Sequence, residues 1–219
     1  MTWQLTTFSL LALALGLGFA WYERTHPSSK VLAMVATLAA LAALGRIAFA
    51  PLPNVKPTTD IVFLTGYVLG GAPGFAVGAL AALSSNLVFG QGPWTPWQMA
   101  AWGLVGIIGA AWAPVTRGRL PRIPTVALLA LCGLLYGALT NLSTLTAAGG
   151  TPSLGQWAAV EAAGLPFDIA HAVGNVAFFL AFGPAFVRVL QRYRARLEVR
   201  WIAASTAPAV PATEGPPIS

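Results

Sequence analysis

The feature that most restricts this chain is a series of apolar runs long enough, or nearly long enough, to cross a lipid bilayer. A helix needs about 20 apolar residues to span the hydrocarbon core. The runs are seven in number: 3–21, 31–50, 59–71, 74–90, 97–114, 124–147 and 166–187. Because hydrocarbon offers no water to backbone amides, each run is expected to be helical. The sequence therefore predicts an all-α integral membrane protein.

Charge is too scarce for a water-soluble globule of this size. Of the 219 residues, 57% are hydrophobic and only 8% are charged, whereas a soluble domain carries roughly 25% charged residues. This composition excludes a soluble enzyme, a disordered chain and a disulfide scaffold. The net charge of +6 resides mainly in loops, so we interpret it as a topology signal and expect no nucleic-acid partner. The single cysteine, Cys132, lies in an apolar run and is predicted to be a packing residue.

The basic residues cluster in segments that alternating spans would place on one side of the membrane. Segments 22–30, 115–123 and 188–200 hold ten of the twelve lysines and arginines. By the positive-inside rule, we expect a multi-pass protein of the plasma membrane with a cytoplasmic C-terminus and an outer N-terminus. The three basic segments fall on one side only if 59–71 is counted as a span, which would then be short or tilted. A re-entrant segment is the alternative.

The predicted outer connections, 50–59, 90–96 and 148–165, gather the polar, aromatic, proline and glycine residues. Such asymmetry is expected of a pocket loaded from outside, with ordinary structured loops as the alternative. In the first connection, three prolines stiffen the chain around Asn54 and Lys56. Lys56 is a candidate contact for an anionic or carbonyl group, or else an exposed solubilising lysine.

The residues that follow this loop, Thr58, Thr59 and Asp60, open the next run in positions typical of helix caps. We therefore predict a capping role for the Asp60 carboxylate.

The second candidate segment spans residues 86–103. Its aromatic and amide side chains suit a planar, partly polar ligand, with an interfacial aromatic belt as the alternative. The predicted ligand contacts in this segment are Asn86, Gln91, Trp94, Trp97 and Gln98. For Asn86, which lies within a span, an interhelical hydrogen bond is the alternative.

Asp168, His171 and Asn175 are spaced i, i+3 and i+7 in the last run, so they share one helical face. Ionisable groups inside a membrane segment are functional candidates. We predict that these three residues contact a ligand and that Asp168 hydrogen-bonds His171. Structural bonding, with Asp168 interacting favourably with the helix dipole, is the alternative.

Catalytic and metal-binding patterns are lacking in the sequence. It holds no HExxH, GxSxG, Walker A or CxxC motif, and its two histidines fall in opposite halves of the membrane. We predict no catalytic residue, no metal and no cofactor. An intramembrane enzyme using Asp168 and His171, or a dyad of Ser84 or Ser85 with His171, is a less favoured alternative. An ion-coupled transporter acting alone is the other, and the scarcity of charge within the spans disfavours it.

A family resemblance rests on residues 42–103, AALGRIAFAPLPNVKPTTDIVFLTGYVLGGAPGFAVGALAALSSNLVFGQGPWTPWQMAAWG, followed by LPFDIAHAVGN. This pattern resembles the substrate-binding S component of energy-coupling factor (ECF) vitamin transporters. The resemblance covers roughly 31–190. It implies a six-helix bundle with an outward-facing vitamin pocket, working with a membrane T component and two cytoplasmic ATPases. The NVKP and GPWTPWQ segments look most like the cobalamin-type group, while riboflavin, a queuosine precursor or another vitamin remain open.

The resemblance also implies a docking face and a division of the chain. AxxxA faces of the family's first helix dock the T component, and here they match Ala36, Ala39, Ala40 and Ala43. Residues 1–29 then form an extra N-terminal helix with its loop, and 30–190 form the substrate-binding domain. Residues 191–219 form a basic helix end and a tail. The stretch 188–201 is predicted to continue the last helix along anionic headgroups, and 205–219 to be disordered.

Overall fold

The computed structural model describes residues 3–148 and 151–197, and within these ranges the chain is entirely helical apart from its connections. The helices are α1 (Trp3–Arg24), α2 (Ser29–Ala48), α3 (Thr58–Leu69), α4 (Gly71–Phe89), α5 (Trp94–Val115), α6 (Arg122–Ala148) and α7 (Leu154–Leu197). All except α3 are long and apolar enough to cross a membrane. The predicted all-α membrane bundle is confirmed.

The short helix α3 forms the centre of the bundle. Every residue from Thr58 to Val68 is buried, and α3 contacts α2, α4, α5, α6 and α7. Its 12 residues give a length of about 18 Å, less than the roughly 30 Å of a bilayer core. Protein surrounds the helix on all sides, so the unpaired backbone groups at its ends face protein and are not exposed to lipid.

Glycines allow the closest helix contacts. The single residue Gly70, at φ +100°, joins α3 to α4, a conformation that favours glycine. Beyond this turn, a Cβ at Gly74 would lie 2.7 Å from the Gly66 Cα, and a Cβ at Gly106 would overlap the Gly74 carbonyl. The three backbones of α3, α4 and α5 therefore meet at side-chain-free positions, as small residues permit in membrane helices.

One end of the bundle collects the arginine-containing segments, and we call it the basic end. Arg194 Nη1 of α7 donates a 2.7 Å hydrogen bond to the Val68 carbonyl. The Leu120 amide of the α5–α6 connection donates a 3.0 Å bond to the Tyr67 hydroxyl. These bonds stabilise the C-terminal end of α3, where helical carbonyls lack partners within the helix.

Helix α1 lies at the periphery, where it packs mainly on α4 and α5. Trp21 contacts Gly71 and Gly18 contacts Phe75, so α1 runs antiparallel to α4 and brings segment 22–30 to the basic end. Its 22 residues correspond to about 33 Å, which is the length of a membrane span.

Helix α7 is much longer than the sequence predicts. The predicted outer connection 148–165 is wrong, because the helix already begins at Leu154. Ser153 Oγ accepts a 3.2 Å bond from the Gln156 amide, and Gln156 Oε1 accepts a 2.9 Å bond from the Ser153 amide. This reciprocal pair is a capping box, a signal present in the sequence. The helix continues through most of the basic stretch 188–201 as predicted, while residues 198–201 and the tail 205–219 lie outside the described residues.

Candidate functional site

A cavity of about 390 Å³ opens at the end of the bundle opposite the basic end. The α2–α3 loop, α2, α5, α6 and α7 each contribute to its wall. Its lining residues are Arg46, Pro53, Asn54, Lys56, Gln98, Tyr136, Thr140, Asn141, Gly164, Phe167 and Asp168. The wall thus combines two cations, one carboxylate, several amides and aromatic surface.

The aromatic pair Trp102 and Tyr136 lies beneath the two cations. The ring centroids of the pair are 4.5 Å apart. Lys56 Nζ lies 5.6 Å from the Trp102 centroid and 5.3 Å from the Tyr136 centroid, and Arg46 Cζ lies 5.2 Å from Trp102. A cation within about 6 Å of an aromatic face is attracted by it, so this pair helps to hold two positive groups in a buried place.

Lys56 is a lysine with little access to water, since only 9% of it is exposed. Burial, together with the nearby charge of Arg46, lowers its pKa from 10.5 to about 7, while Asp168 opposes the change. The lysine can therefore gain or lose its proton near neutral pH. The predicted alternative, an exposed solubilising lysine, is wrong.

A hydrogen-bond network connects Arg46 to the start of α5. Arg46 Nη1 donates 2.7 Å bonds to Ser85 Oγ and to Asn86 Oδ1. Asn86 Nδ2 donates to Thr95 Oγ1 at 2.9 Å and to Gln98 Oε1 at 2.8 Å. Asn86 therefore joins α2, α4 and α5 behind the cavity wall, in the interhelical role that was the alternative to ligand contact.

The α2–α3 loop is fixed over the cavity by Asn54. This residue adopts φ +59°, and its Nδ2 donates a 2.8 Å bond to the Phe167 carbonyl of α7. Its Oδ1 accepts a short hydrogen bond from Lys56 Nζ. The stiff, proline-containing loop is thus tied to α7 and places its lysine toward the aromatic pair.

His171 lies beneath the cavity and bonds to α3. His171 Nε2 and Thr59 Oγ1 are 2.7 Å apart, and its Nδ1 has no partner within the described residues. The predicted bond between Asp168 and His171 is therefore wrong: Asp168 faces the cavity and its carboxylate packs against Gly137.

The predicted capping of α3 is also wrong. Pro57 occupies the N-cap position, and in the described part of the chain no side chain caps this helix. Thr58 Oγ1 instead donates to the Ala42 carbonyl at 3.0 Å, and Asp60 is completely buried. The polar residues of this turn point into the protein because α3 is enclosed on all sides.

Four of the ten predicted ligand contacts line the cavity: Asn54, Lys56, Gln98 and Asp168. Asn86 and His171 are buried behind them. The remaining four are positioned elsewhere. Gln91 bonds the Leu83 carbonyl, Trp94 is 42% exposed, Trp97 is buried, and Asn175 bonds the Leu129 carbonyl. Ligand binding by any of the ten stays a prediction.

Arg46 and Tyr136 are two of the lining residues that the sequence analysis did not select. A signal existed for Arg46, because it is a basic residue near the end of an apolar run, where a charge is costly unless it has a partner. Tyr136 had no such signal, since an aromatic residue in an apolar run is common. Only the packing of α6 against α5 and α7 turns it toward the cavity.

In the parts of the chain that the structure describes, no group of side chains is arranged to hold a metal ion and no serine bonds His171. These parts contain no group of three or more His, Cys, Asp or Glu side chains able to hold a metal ion. Ser84 and Ser85 bond carbonyls of their own helix, at Leu80 and Ala81, and neither bonds His171. Cys132 is buried in the core.

The predicted docking alanines separate into two faces of α2. Ala36 and Ala40 are exposed, whereas Ala39 and Ala43 are buried against the rest of the bundle. Only the first pair is open to another protein or to lipid.

Compared with known proteins, the chain matches no family model, no curated protein and no solved structure.

Proposed function

We propose that this protein is a membrane subunit that captures a small molecule in the cavity between the α2–α3 loop, α5, α6 and α7. The observation that carries the proposal is the cavity itself, about 390 Å³ in volume, with cations above an aromatic pair. This volume lies within the range of roughly 300 to 1,000 Å³ typical of small-molecule sites. With the basic end in the cytoplasm, the cavity opens to the outside of the plasma membrane.

The wall suits a ligand with a flat ring and an anionic or carbonyl group. The ring would lie against Tyr136, and Lys56 and Arg46 would attract the acceptor group, while Gln98 and Asp168 would bond polar edges. Vitamins combine these features. The resemblance favours a cobalamin-type ligand, but a corrinoid would enter a cavity of this volume only in part, whereas a smaller ring-containing vitamin would be enclosed.

Energy for uptake would come from partners. The sequence contains no ATP-binding motif, so we propose the role of an S component that works with an ECF T component and two cytoplasmic ATPases, without enzymatic activity of its own. The exposed pair Ala36 and Ala40 would form the docking face for the T component, because small residues allow close helix approach.

Purification followed by mass spectrometry of the co-purifying small molecule tests this proposal directly. Titration with the identified molecule should then show at least about tenfold weaker binding for Lys56→Met and Gln98→Ala, a loss of about 1.4 kcal/mol. Lys30→Met, at an exposed lysine of the basic end away from the cavity, is the matched control. The proposal fails if no molecule binds, or if the control weakens binding as much as Lys56→Met. Transport by the protein alone in liposomes would instead favour an ion-coupled transporter.

A further inference from the structure

Three polar side chains are completely buried where α3 packs against α6 and α7. Asp60, His171 and Asn175 each have an exposed fraction of 0%. Within residues 3–148 and 151–197, four of their atoms lack a hydrogen-bond partner: Asp60 Oδ1 and Oδ2, His171 Nδ1 and Asn175 Oδ1. Each unpartnered buried polar atom carries a desolvation cost, so this concentration requires a physical explanation.

Contacts with neighbouring helices place these residues at a similar depth in the bundle. His171 bonds Thr59, the residue immediately before Asp60. Asn175 follows one turn later on α7 and bonds the carbonyl of residue 129 in α6. Cys132, less than one turn further along α6, is also buried. We call Asp60, His171 and Asn175 the buried polar layer.

One tautomer of His171 suits its neighbours, because a hydroxyl that accepts from Trp102 still has its own proton to donate. Trp102 Nε1, which can only donate, donates a 3.1 Å bond to Thr59 Oγ1. The Thr59 hydroxyl can then donate its own proton to His171 Nε2, 2.7 Å away. A neutral imidazole that accepts at Nε2 carries its proton at Nδ1. His171 therefore offers one donor to a layer in which Asp60 and Asn175 offer three acceptor oxygens.

We infer that Asp60 binds a proton in the folded protein, so that the buried polar layer is a proton site in the interior of the bundle. Protonation removes a buried charge whose desolvation would be very costly. It also turns one Asp60 oxygen into a donor, in addition to His171 Nδ1. A proton can be bound without displacing any of the three enclosed side chains.

Other ionisable groups surround this proton site. Cys132 and Tyr136 face the region from α6, His171 belongs to the layer on α7, and Lys56 lies above it in the α2–α3 loop. The inference goes beyond ligand capture, because it holds whether or not the cavity is filled. It also places a protonatable carboxyl group at the centre of the bundle, whereas the scarcity of charge within the spans was the reason to disfavour ion coupling.

Infrared spectroscopy of the purified full chain tests the inference, because the sequence contains only six Asp and Glu residues. At neutral pH we expect the carbonyl band of a protonated carboxylic acid. The band should disappear in Asp60→Asn, persist in the matched control Asp168→Asn, and remain unchanged when Na⁺ is replaced by K⁺. Absence of the band in the unchanged protein, or its survival in Asp60→Asn, overturns the inference. A missing band together with thermal stability that rises with Na⁺ would identify a cation site instead.

A second variant keeps the test decisive if Asp60→Asn does not fold. This variant retains Asp60 as its only Asp or Glu residue. It carries the substitutions Glu23→Gln, Glu161→Gln, Asp168→Asn, Glu198→Gln and Glu214→Gln. The inference requires that it keep the full band at neutral pH, and loss of the band contradicts it.

Discussion

Arg46 Nη1 donates a 2.7 Å hydrogen bond to Asn86 Oδ1, and this bond connects the cavity wall to the α4–α5 corner. Asn86 also uses its amide nitrogen, which donates to Thr95 and Gln98. Its oxygen and its nitrogen are therefore both engaged within the protein. Asn86 therefore positions Arg46 and Gln98 at the cavity wall.

Replacing Asn86 with alanine should lower stability. The change leaves the Arg46 guanidinium and the Gln98 amide with fewer partners in a buried place, a loss of about 1–3 kcal/mol. We expect a clear fall in the midpoint of thermal unfolding in detergent.

The matched control for Asn86→Ala is Ser84→Ala. Ser84 is exposed on the same helix, and its hydroxyl bonds only carbonyls of its own preceding turn. Its midpoint should stay close to that of the unchanged protein. Equal destabilisation by the two substitutions would contradict the role assigned to Asn86.

The sequence predicts the helical class, the spans and the shared end of the basic segments because each depends on local composition. Apolar length marks a membrane helix, and the bonds of Arg194 and Leu120 place the basic segments together as the charge pattern indicates. The central position of α3 could not be predicted in this way. A short apolar run is equally compatible with a tilted span or with a helix enclosed by protein.

The site was predictable only where polarity itself was the signal. Asn54, Lys56, Gln98 and Asp168 were selected as polar groups near a predicted outer surface, and they line the cavity. The orientation of Trp97, by contrast, depends on how α5 rotates against its neighbours. Composition and spacing along one helix do not determine that rotation.

Lys56 should make stability depend on pH. Burial lowers its pKa from 10.5 to about 7, so between these values the unfolded chain holds one proton more than the folded protein. Stability therefore rises with pH across this window, by at most about 1.4 kcal/mol per pH unit, and the penalty for the buried charge is present below about pH 7. Chemical unfolding measured from pH 7 to pH 10 should show this rise.

Lys56→Met should remove the part of the rise in stability with pH that comes from Lys56, because methionine keeps an apolar stem without a charge. Lys30→Met is the matched control, since Lys30 is an exposed lysine at the basic end. We expect the control to keep the pH dependence of the unchanged protein. If Lys56→Met keeps it as well, the assignment of the titration to Lys56 is wrong.

The two faces of α2 allow packing to be separated from docking. The pair Ala39→Leu and Ala43→Leu adds volume to a buried face and should destabilise the protein by about 1–3 kcal/mol for each substitution. The pair Ala36→Leu and Ala40→Leu lies on the exposed face and should leave thermal unfolding unchanged. If a T component docks there, the exposed pair should still abolish uptake in cells. Full uptake by that variant would exclude docking at this face.

Gly106 should be one of the glycines that do not tolerate a side chain. Its Cβ would overlap the carbonyl of Gly74, and neither backbone can move without separating α4 from α5 beside the central α3. Gly106→Ala should therefore destabilise the fold by at least about 3 kcal/mol, the upper end of the usual overpacking penalty. Gly16→Ala is the control, because no atom lies within 4 Å of its added Cβ, and alanine should stabilise that helix by up to about 1 kcal/mol. Similar unfolding midpoints for the two variants would contradict the close approach of α4 and α5.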